Sequence, residues 1–257
     1  MTPRERRTRI VDIVRQNERA GVDALAVALD ISRETIRRDL TELARAGKIH
    51  KYHGGAMLPS VRGEGPFQQR MADNAAAKAI IAAAAVELFK PGETIFIDTG
   101  STTLYFAEKL VELADLTIVT NSAEVARVMG QARGRHRVFL LGGEYSADNR
   151  QTVGTLAVAQ IRSFRAHHVV LTVGGLDTRT GVMDFNIEEA QVARAMIDQA
   201  DRLTVLADAA KFDRIASFEV CRLAAIANLV CDRPPAGGLG EALARTGTRI
   251  FPAGPNA

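Results

Sequence analysis

The chain of 257 residues is 47% hydrophobic, and this length and composition suffice to bury the cores of one or two domains. Its net charge of +3 is unevenly spread: residues 1–58 carry 12 Lys and Arg against 8 Asp and Glu, a balance of +4, and the remainder carries 21 against 22, a balance of −1. The longest apolar run, 79–86, is too short to span a membrane, and the arginine-rich start has no apolar secretion signal, so we expect a cytoplasmic protein with no membrane partner.

The two cysteines, Cys221 and Cys231, limit the chemistry that the chain can perform. They are too few for a thiolate metal cluster, and no other spacing of ligand side chains suggests a metal site. We interpret both as reduced thiols rather than as a disulfide.

Residues 3–30 predict two helices. Pro3 to Gln16 forms the first, and the arginines near its start suit a phosphate backbone or solvent equally. Gly21-Val22 predicts a turn and a short strand that pairs with a later wing, and Ala24 to Leu29 predicts a short apolar helix.

Residues 31–45 predict the helix that dictates what the rest of the chain serves. Ser32 is a suitable N-cap, and Ile36, Leu40 and Leu43 recur at spacings of four and three on one buried face. The other faces carry arginines and hydroxyls that fit the major groove of DNA, where arginines reach phosphates and guanine edges. A solvated basic helix is the alternative.

A basic β-wing is predicted directly after this helix. Gly47 can end the helix, and residues 49–57 predict two short extended segments around Gly54-Gly55. Helix, turn, helix and wing together favour double-stranded operator DNA as the partner. The residues predicted to contact DNA are Ser32, Arg33, Thr35, Arg37, Arg38, Lys51 and His53.

The same stretch carries a family resemblance. The motif S-x-x-T-I-R-R-D-L-x-x-L-x-x-x-G at 32–47, followed by Y-H-G-G-A at 52–56, resembles the N-terminal winged helix of the DeoR family of bacterial sugar-catabolism regulators. The resemblance implies a repressor whose C-terminal domain senses a phosphorylated sugar or polyol, with no further cofactor.

A linker rich in Pro, Gly and charge is predicted between two domains. We place a winged helix-turn-helix DNA-binding domain at 1–58, the linker at 59–66 and an effector-sensing domain at 67–257. From Phe67 a single alanine-rich helix is expected to run to about Phe89.

The rest of the chain alternates between strand-like and helix-like segments. This alternation predicts a mostly parallel sheet covered on both faces. The predicted strands are Thr94–Ile97, Leu116–Thr120, Arg137–Leu141, His168–Val173, Leu203–Ala207, Leu229–Cys231 and Arg249–Phe251. The fold class is therefore an α+β winged helix-turn-helix domain linked to an α/β domain.

Glycines and short polar residues follow four of these strands. After the first, the loop D-T-G-S-T-T at 98–103 turns at Gly100 into a helix, whose free amides suit a phosphate; a simple capping turn is the alternative. Because the carboxyl ends of parallel strands share one edge, we expect the four loops to form one crevice, although turns alone could demand the glycines. The predicted effector-binding residues in these loops are Asp98, Gly100, Ser101, Thr102, Thr103, Thr120, Asn121, Gly142, Gly143 and Gly174.

This arrangement resembles the DeoR sensor domain and, more distantly, the ribose-5-phosphate isomerase fold, in which a similar Thr-Gly-Ser-Thr loop holds the sugar phosphate. The resemblance implies that Lys78 and Lys211 point toward the ligand, with surface salt bridges as the alternative. Glu188 or Glu189 lies at a predicted helix start, and we select Glu188 as a candidate for sugar hydroxyls; stabilisation by the helix dipole is the alternative. Residues 149–152 predict a polar segment over the crevice.

Two functions from different classes fit these patterns. A sugar-phosphate isomerase tethered to a DNA-binding module would need a carboxylate base, and this chain has Gly-Gly-Leu-Asp at 174–177 where the isomerase motif has Gly-Ala-Asp-Glu. We therefore predict a regulator without enzymatic activity, most simply a repressor, that forms a homo-oligomer because paired DNA half-sites match protein symmetry.

Overall fold

The computed structural model describes residues 2–17, 19–45, 49–52, 54–57 and 64–254. The chain divides into two compact units, Met1–Gly65 and Pro66–Ala257, and each is described by itself. None of the helices in the described ranges combines the length and apolar character needed to cross a bilayer.

The first unit combines helices with a small antiparallel sheet. Its elements are α1 (Pro3–Asn17), β1 (Arg19–Gly21), α2 (Val22–Leu29), α3 (Arg33–Arg45), β2 (His50–Tyr52) and β3 (Gly55–Met57). Strand β3 lies between β1 and β2 and pairs antiparallel with both. The predicted wing is thus β2 and β3, and the strand expected near Gly21 is β1.

Apolar spacing and one side-chain cap determine where α3 lies. Ile36 and Leu40 are buried against Ile10 and Leu25, as their spacing along the helix predicts. Ser32 Oγ accepts a hydrogen bond from the Thr35 N–H at 3.2 Å, and this cap fixes the start of the helix.

The second unit is built on a parallel sheet covered by helices. The helices are α4 (Phe67–Ala72), α5 (Ala75–Val86), α6 (Ser101–Leu110), α7 (Ala123–Gln131), α8 (Thr155–Ile161), α9 (Ile187–Asp198) and α10 (Gly237–Thr246). The sheet strands are β4 (Thr94–Ile97), β5 (Thr117–Thr120), β6 (Arg137–Leu140), β9 (Ala166–Thr172), β12 (Ala200–Ala207), β14 (Ile226–Cys231) and β15 (Arg249–Pro252). In the described part of the chain these seven strands have the order β15-β14-β12-β9-β4-β5-β6, and every neighbouring pair is parallel.

Alternating strand residues supply two cores, one on each face of this sheet. Phe96 and Val169 belong to one cluster, whereas Ile95, Ile97 and Val170 belong to the other. Because both faces are buried, these strands appear in the sequence as continuous apolar runs, and all seven predicted strands are present.

Five short strands were not predicted. They are β7 (Glu144–Ser146) and β8 (Gln151–Val153), which form a hairpin, and β10 (Gly175–Asp177), β11 (Gly181–Asp184) and β13 (Phe218–Cys221), which form a small antiparallel sheet. Segments of three or four residues are too short for a period of two to be visible in the sequence.

The single helix expected from Phe67 to about Phe89 is wrong, because the structure divides it into α4 and α5. Asn74 adopts a left-handed conformation with φ of 52°, and the helix restarts at Ala75. The Lys78 ammonium donates hydrogen bonds to the carbonyl oxygens of Arg70 and Asp73, which the break leaves without helical partners.

Candidate functional site

Helix α3 exposes the arginines predicted to contact DNA. The side chains of Arg37 and Arg38 are 64% and 80% exposed, and their nearest approaches to Glu34 are 3.9 and 3.6 Å. Arg33 Nε lies 2.7 Å from Asp23 Oδ1 on the same exposed surface. Because exposed pairs of this kind contribute little, all three guanidinium groups can exchange these contacts for phosphate or base contacts.

The remaining predicted DNA contacts are placed at the two ends of this surface. The hydroxyls of Ser32 and Thr35 lie 2.9 Å apart at the start of α3, and Lys51 Nζ donates to Thr41 Oγ1 at 2.9 Å. The bond from Lys51 ties β2 to α3, so the wing and the helix form one continuous surface. His53 lies outside the described residues.

Two arginines of α1 have a structural partner that sequence reasoning missed. Asp39, on the inner side of α3, is 2% exposed and accepts hydrogen bonds from Arg6 Nε and, at 2.9 Å, from Arg7 Nε. Burial alone would raise the pKa of Asp39, but these two bonds lower it below its ordinary value. The pairing fixes α1 against α3.

In the second unit, the strands with the four predicted loops lie side by side. β9, β4, β5 and β6 are consecutive in the sheet and parallel, so their carboxyl ends form one edge. This is the arrangement that creates a ligand crevice in open α/β sheets.

The 98–103 loop lies at this edge and is almost entirely buried. A Cβ on Gly100 would lie 2.0 Å from the Thr172 methyl group, so only glycine allows the loop to approach β9 this closely. Helix α6 begins at Ser101 without a side-chain cap, and Thr103 Oγ1 donates to the Gly100 carbonyl at 3.1 Å. The first amides of α6 therefore have no intrahelical acceptor, which is the geometry that binds anions.

The loop after β5 contributes one side chain with an unused acceptor. Thr120 Oγ1 accepts from the Ser122 N–H at 3.0 Å. Asn121 is fully buried and its Nδ2 donates to Gln151 Oε1 and the Thr152 carbonyl, both at 3.3 Å. Asn121 Oδ1 has no hydrogen-bond partner among the described residues.

Close backbone approach accounts for the glycines after β6 and β9. A Cβ on Gly143 would lie 2.5 Å from the Val153 carbonyl, and one on Gly174 would lie 2.9 Å from the Phe185 ring. The Gly142 N–H already donates to Gln160 Oε1 at 2.8 Å. Close packing against neighbouring residues therefore explains these glycines without a ligand, and their contact with a ligand stays a prediction.

Four side chains from three segments form a hydrogen-bonded network near Asp98. Glu189 Oε1 accepts hydrogen bonds from Asn149 Nδ2 and Gln151 Nε2, each at 2.7 Å, and Arg70 Nη2 donates to Asn149 Oδ1. The polar segment predicted at 149–152 supplies the two amides. Arg70 was not selected from the sequence, because it is one charged residue within a helical stretch, and Glu189 was named only as the alternative to Glu188.

Two carboxyl groups in this network have raised pKa values. Burial, followed by the negative charges of Glu189 and Asp184, raises the pKa of Asp98 well above its ordinary value. Burial and then the Asp184 charge raise the pKa of Glu189 to about 7, against the hydrogen bonds from Gln151 and Asn149. Asp98 therefore holds its proton more tightly than an ordinary aspartate, and a protonated carboxyl can lie next to an anion or donate a hydrogen bond.

The two predicted lysines lie close enough for their charges to interact. Lys78 is 4% exposed, and burial lowers its pKa, with Lys211 adding to the effect and Asp208 opposing it. Lys211 ends the short 3-10 turn Ala209–Lys211 that follows β12. Lys78 uses two of its three N–H donors on the break between α4 and α5, which leaves one for another acceptor.

The other acidic candidates lie outside the network. Glu188 takes part in the start of α9 through its N–H, which donates to Asn186 Oδ1 at 2.8 Å, whereas the neighbouring carboxylate of Glu189 joins the network. Asp177 Oδ1 accepts from the N–H groups of Arg179 and Thr180, both at 3.0 Å, and thereby closes the turn between β10 and β11. No group of three or more His, Cys, Asp or Glu side chains within the described ranges is arranged to hold a metal ion.

Comparison with known proteins assigns the two units. Residues 6–62 match the DeoR-like helix-turn-helix domain, and residues 73–233 match the DeoR C terminal sensor domain. The chain belongs to the DeoR family. It is thus a DNA-binding transcriptional regulator with a sensor domain, as the motif at 32–47 predicts.

Individual relatives extend over almost the whole chain. The glycerol-3-phosphate regulon repressor of Escherichia coli K12 is 31% identical over 235 residues, which cover 91% of this chain and 93% of that protein. The HTH-type transcriptional repressor CsqR of the same organism is 30% identical over 239 residues, or 93% of this chain and 91% of that protein. Among solved structures, ribose 5-phosphate isomerase A from Methanocaldococcus jannaschii aligns with a TM-score of 0.40 at 18% identity over 55% of each chain.

Proposed function

We propose that this DeoR-family protein represses a carbohydrate or polyol catabolic operon and that a phosphorylated sugar or polyol, bound in the crevice of residues 67–257, modulates its binding to operator DNA. The observation that carries the proposal is the buried 98–103 loop, whose helix-start amides lie at the edge where four parallel strands end. Such amides favour an anion, and the surrounding carboxyl and amide groups suit hydroxyls. One relative is named for a glycerol-3-phosphate regulon, which is consistent with this class of ligand.

Residues 1–58 form the DNA-reading part in this proposal. The exposed arginines of α3 enter the major groove, and Lys51 on the wing follows the phosphate backbone. A cytoplasmic location is proposed because the protein must meet its operator DNA there.

The ligand acts by shifting an equilibrium rather than by being converted. An effector that binds two arrangements of a homo-oligomer with different affinity favours one of them and changes the separation of the DNA-reading helices. A two-fold oligomer is proposed because operator half-sites repeat with the symmetry of the protein that binds them.

The double substitution Ser101→Ala with Thr102→Ala tests the ligand site. It removes two buried hydroxyls beside the helix-start amides, so we expect the response of DNA binding to sugar phosphates to be lost while DNA affinity without ligand is kept. Thr155→Ala is the matched control, because Thr155 also follows a glycine at the start of a helix, α8, but is exposed. An unchanged response in the double variant refutes the site.

A second candidate function is isomerisation of the bound sugar phosphate, favoured by one observation. A Glu189 pKa of about 7 is the value that a general base working at neutral pH would have. Turnover of pentose or hexose phosphates by the purified protein, abolished by Glu189→Ala, would establish this activity in place of simple sensing.

A further inference from the structure

The side chain of Asn149 occupies the centre of the crevice network. Its Oδ1 accepts from Arg70 Nη2, and its Nδ2 donates to Glu189 Oε1 at 2.7 Å. Its main-chain carbonyl accepts from Thr99 Oγ1 at 3.2 Å, which places it directly beside the 98–103 loop. One amide group therefore connects a cation and an acid, both drawn from helices at the crevice.

This amide presents the same two functions as a polyol phosphate. Its oxygen satisfies the Arg70 guanidinium as a phosphoryl oxygen would, and its N–H satisfies Glu189 as a sugar hydroxyl would. An ionised phosphoryl oxygen is the better partner for a guanidinium, because it adds the attraction between opposite charges and phosphate can accept two parallel N–H bonds from one guanidinium. Asn121 Oδ1, fully buried and without a partner among the described residues, offers a further acceptor for a hydroxyl in the same place.

The turn that carries Asn149 is held by bonds that do not involve its side chain. The Ala123 N–H donates to the Arg150 carbonyl at 2.9 Å, and Arg150 Nη1 lies 2.9 Å from Glu124 Oε1. The Thr152 N–H donates to the Asn121 carbonyl at 2.8 Å. The amide can thus leave the crevice by rotation of the Asn149 side chain while the β7–β8 hairpin stays in place.

We propose that Asn149 is a built-in substitute for the effector and that Arg70 and Glu189 are effector-binding residues: the phosphate group displaces the Asn149 amide from Arg70, and a hydroxyl displaces it from Glu189. The inference rests on the proposed function, which supplies the class of ligand. It assigns the anion contact to a residue on α4, the first helix of the second unit, in addition to the 98–103 loop.

Removal of the substitute should strengthen ligand binding. In Asn149→Ala the ligand-free crevice loses two hydrogen bonds that the ligand-bound crevice does not use, so the free state alone is destabilised. We expect the Kd of a sugar or polyol phosphate to fall at least about tenfold, the equivalent of one or two such bonds. Asp148→Ala, an exposed residue of the same turn, is the control and should change the Kd by less than about twofold.

The experiment is a calorimetric titration of the full-length wild type, Asn149→Ala and Asp148→Ala with inorganic phosphate, glycerol 3-phosphate, ribose 5-phosphate and fructose 6-phosphate. Tighter binding by Asn149→Ala, or binding by Asn149→Ala alone, supports the inference. Binding by the wild type that Asn149→Ala leaves unchanged or weakens overturns the inference and leaves the proposed function intact. Absence of binding by every protein in the panel overturns both. Asn149→Ser, which keeps a small polar side chain, replaces Asn149→Ala if that variant does not fold.

Arg70→Gln supplies the complementary measurement. Lys78 bonds to the carbonyl of Arg70 rather than to its side chain, so the substitution keeps the connection between α4 and α5. We expect Arg70→Gln to weaken binding about tenfold or more in the Asn149→Ala background as well, because the lost contact is to the ligand. Unchanged affinity in that background would show that Arg70 serves only to hold Asn149.

Discussion

At the scale of single residues, the crevice is defined by ionisable groups that are buried together. Asp98 and Lys78 are at most 5% exposed, and Arg70 and Glu189 complete the group from α4 and α9. Charges in such surroundings are costly unless they are paired or neutralised. The raised pKa values of the two carboxyls and the lowered pKa of the ammonium are the consequence.

The raised pKa of Glu189 predicts how stability depends on pH. Between its ordinary value of 4.5 and about 7, the folded protein binds a proton that the unfolded chain has released, so the free energy of unfolding falls as pH rises through this window. Asp98 contributes with the same sign. We expect Glu189→Gln to have a higher thermal midpoint than the wild type near pH 8 and a similar one near pH 5.

Thermal denaturation across this pH range checks the prediction. Glu241→Gln is the control, because Glu241 is 74% exposed on α10 and its substitution should leave the pH dependence as it is. A Glu189→Gln profile parallel to the wild type would contradict the assignment.

Substitution of an arginine on α3 should reduce DNA affinity more than loss of the same charge elsewhere in the protein. Arg37→Ala or Arg38→Ala should weaken operator binding about 10- to 100-fold, since each removes a contact to a phosphate or base edge worth roughly 1–3 kcal/mol. Gel-shift titration with the upstream region of the gene is the measurement. Arg245→Ala makes the same charge change on the exposed surface of the other unit, and an equal loss there would mean that only net charge matters.

At the scale of elements, structure that follows from a repeated apolar pattern could be predicted from the sequence, whereas structure that depends on individual tertiary contacts could not. The strands of the main sheet were foreseeable because both of its faces are buried and their apolar runs are continuous. The 98–103 loop was foreseeable because Gly100 and the hydroxyls follow a strand directly. The break at Asn74 was not, since alanine-rich flanks favour continuation and the Lys78 bonds that stabilise the break require the folded chain. The network around Glu189 was missed because its hydrogen bonds also join segments that meet only in the folded chain.

The break between α4 and α5 depends on Lys78. Lys78→Met leaves the buried carbonyl of Arg70 and the partly buried carbonyl of Asp73 without these donors, so we expect the free energy of unfolding to fall by about 1–3 kcal/mol. Urea denaturation followed by circular dichroism measures this loss. Lys109→Met, an exposed lysine of α6, is the matched control, and an equal effect at both positions would refute the capping role.

At the scale of the whole molecule, the chain joins a basic DNA-reading unit to a sensor unit that is close to neutral. DNA affinity carried by Lys and Arg must fall as salt rises, because phosphate contacts release counterions. Ligand binding in the second unit changes that affinity only if the ligand binds the two arrangements of the protein with different free energies. A regulator of this kind must therefore both bind specific DNA and change that binding when a phosphorylated ligand is present.

A fluorescence anisotropy titration of the full-length protein onto duplex DNA from its own upstream region, with and without each sugar and polyol phosphate, tests this claim most directly. We expect binding that weakens with salt and that at least one compound changes about tenfold or more, a response lost in the Ser101→Ala with Thr102→Ala variant. Binding no tighter than to unrelated duplex, or specific binding that no phosphorylated compound alters, would contradict it.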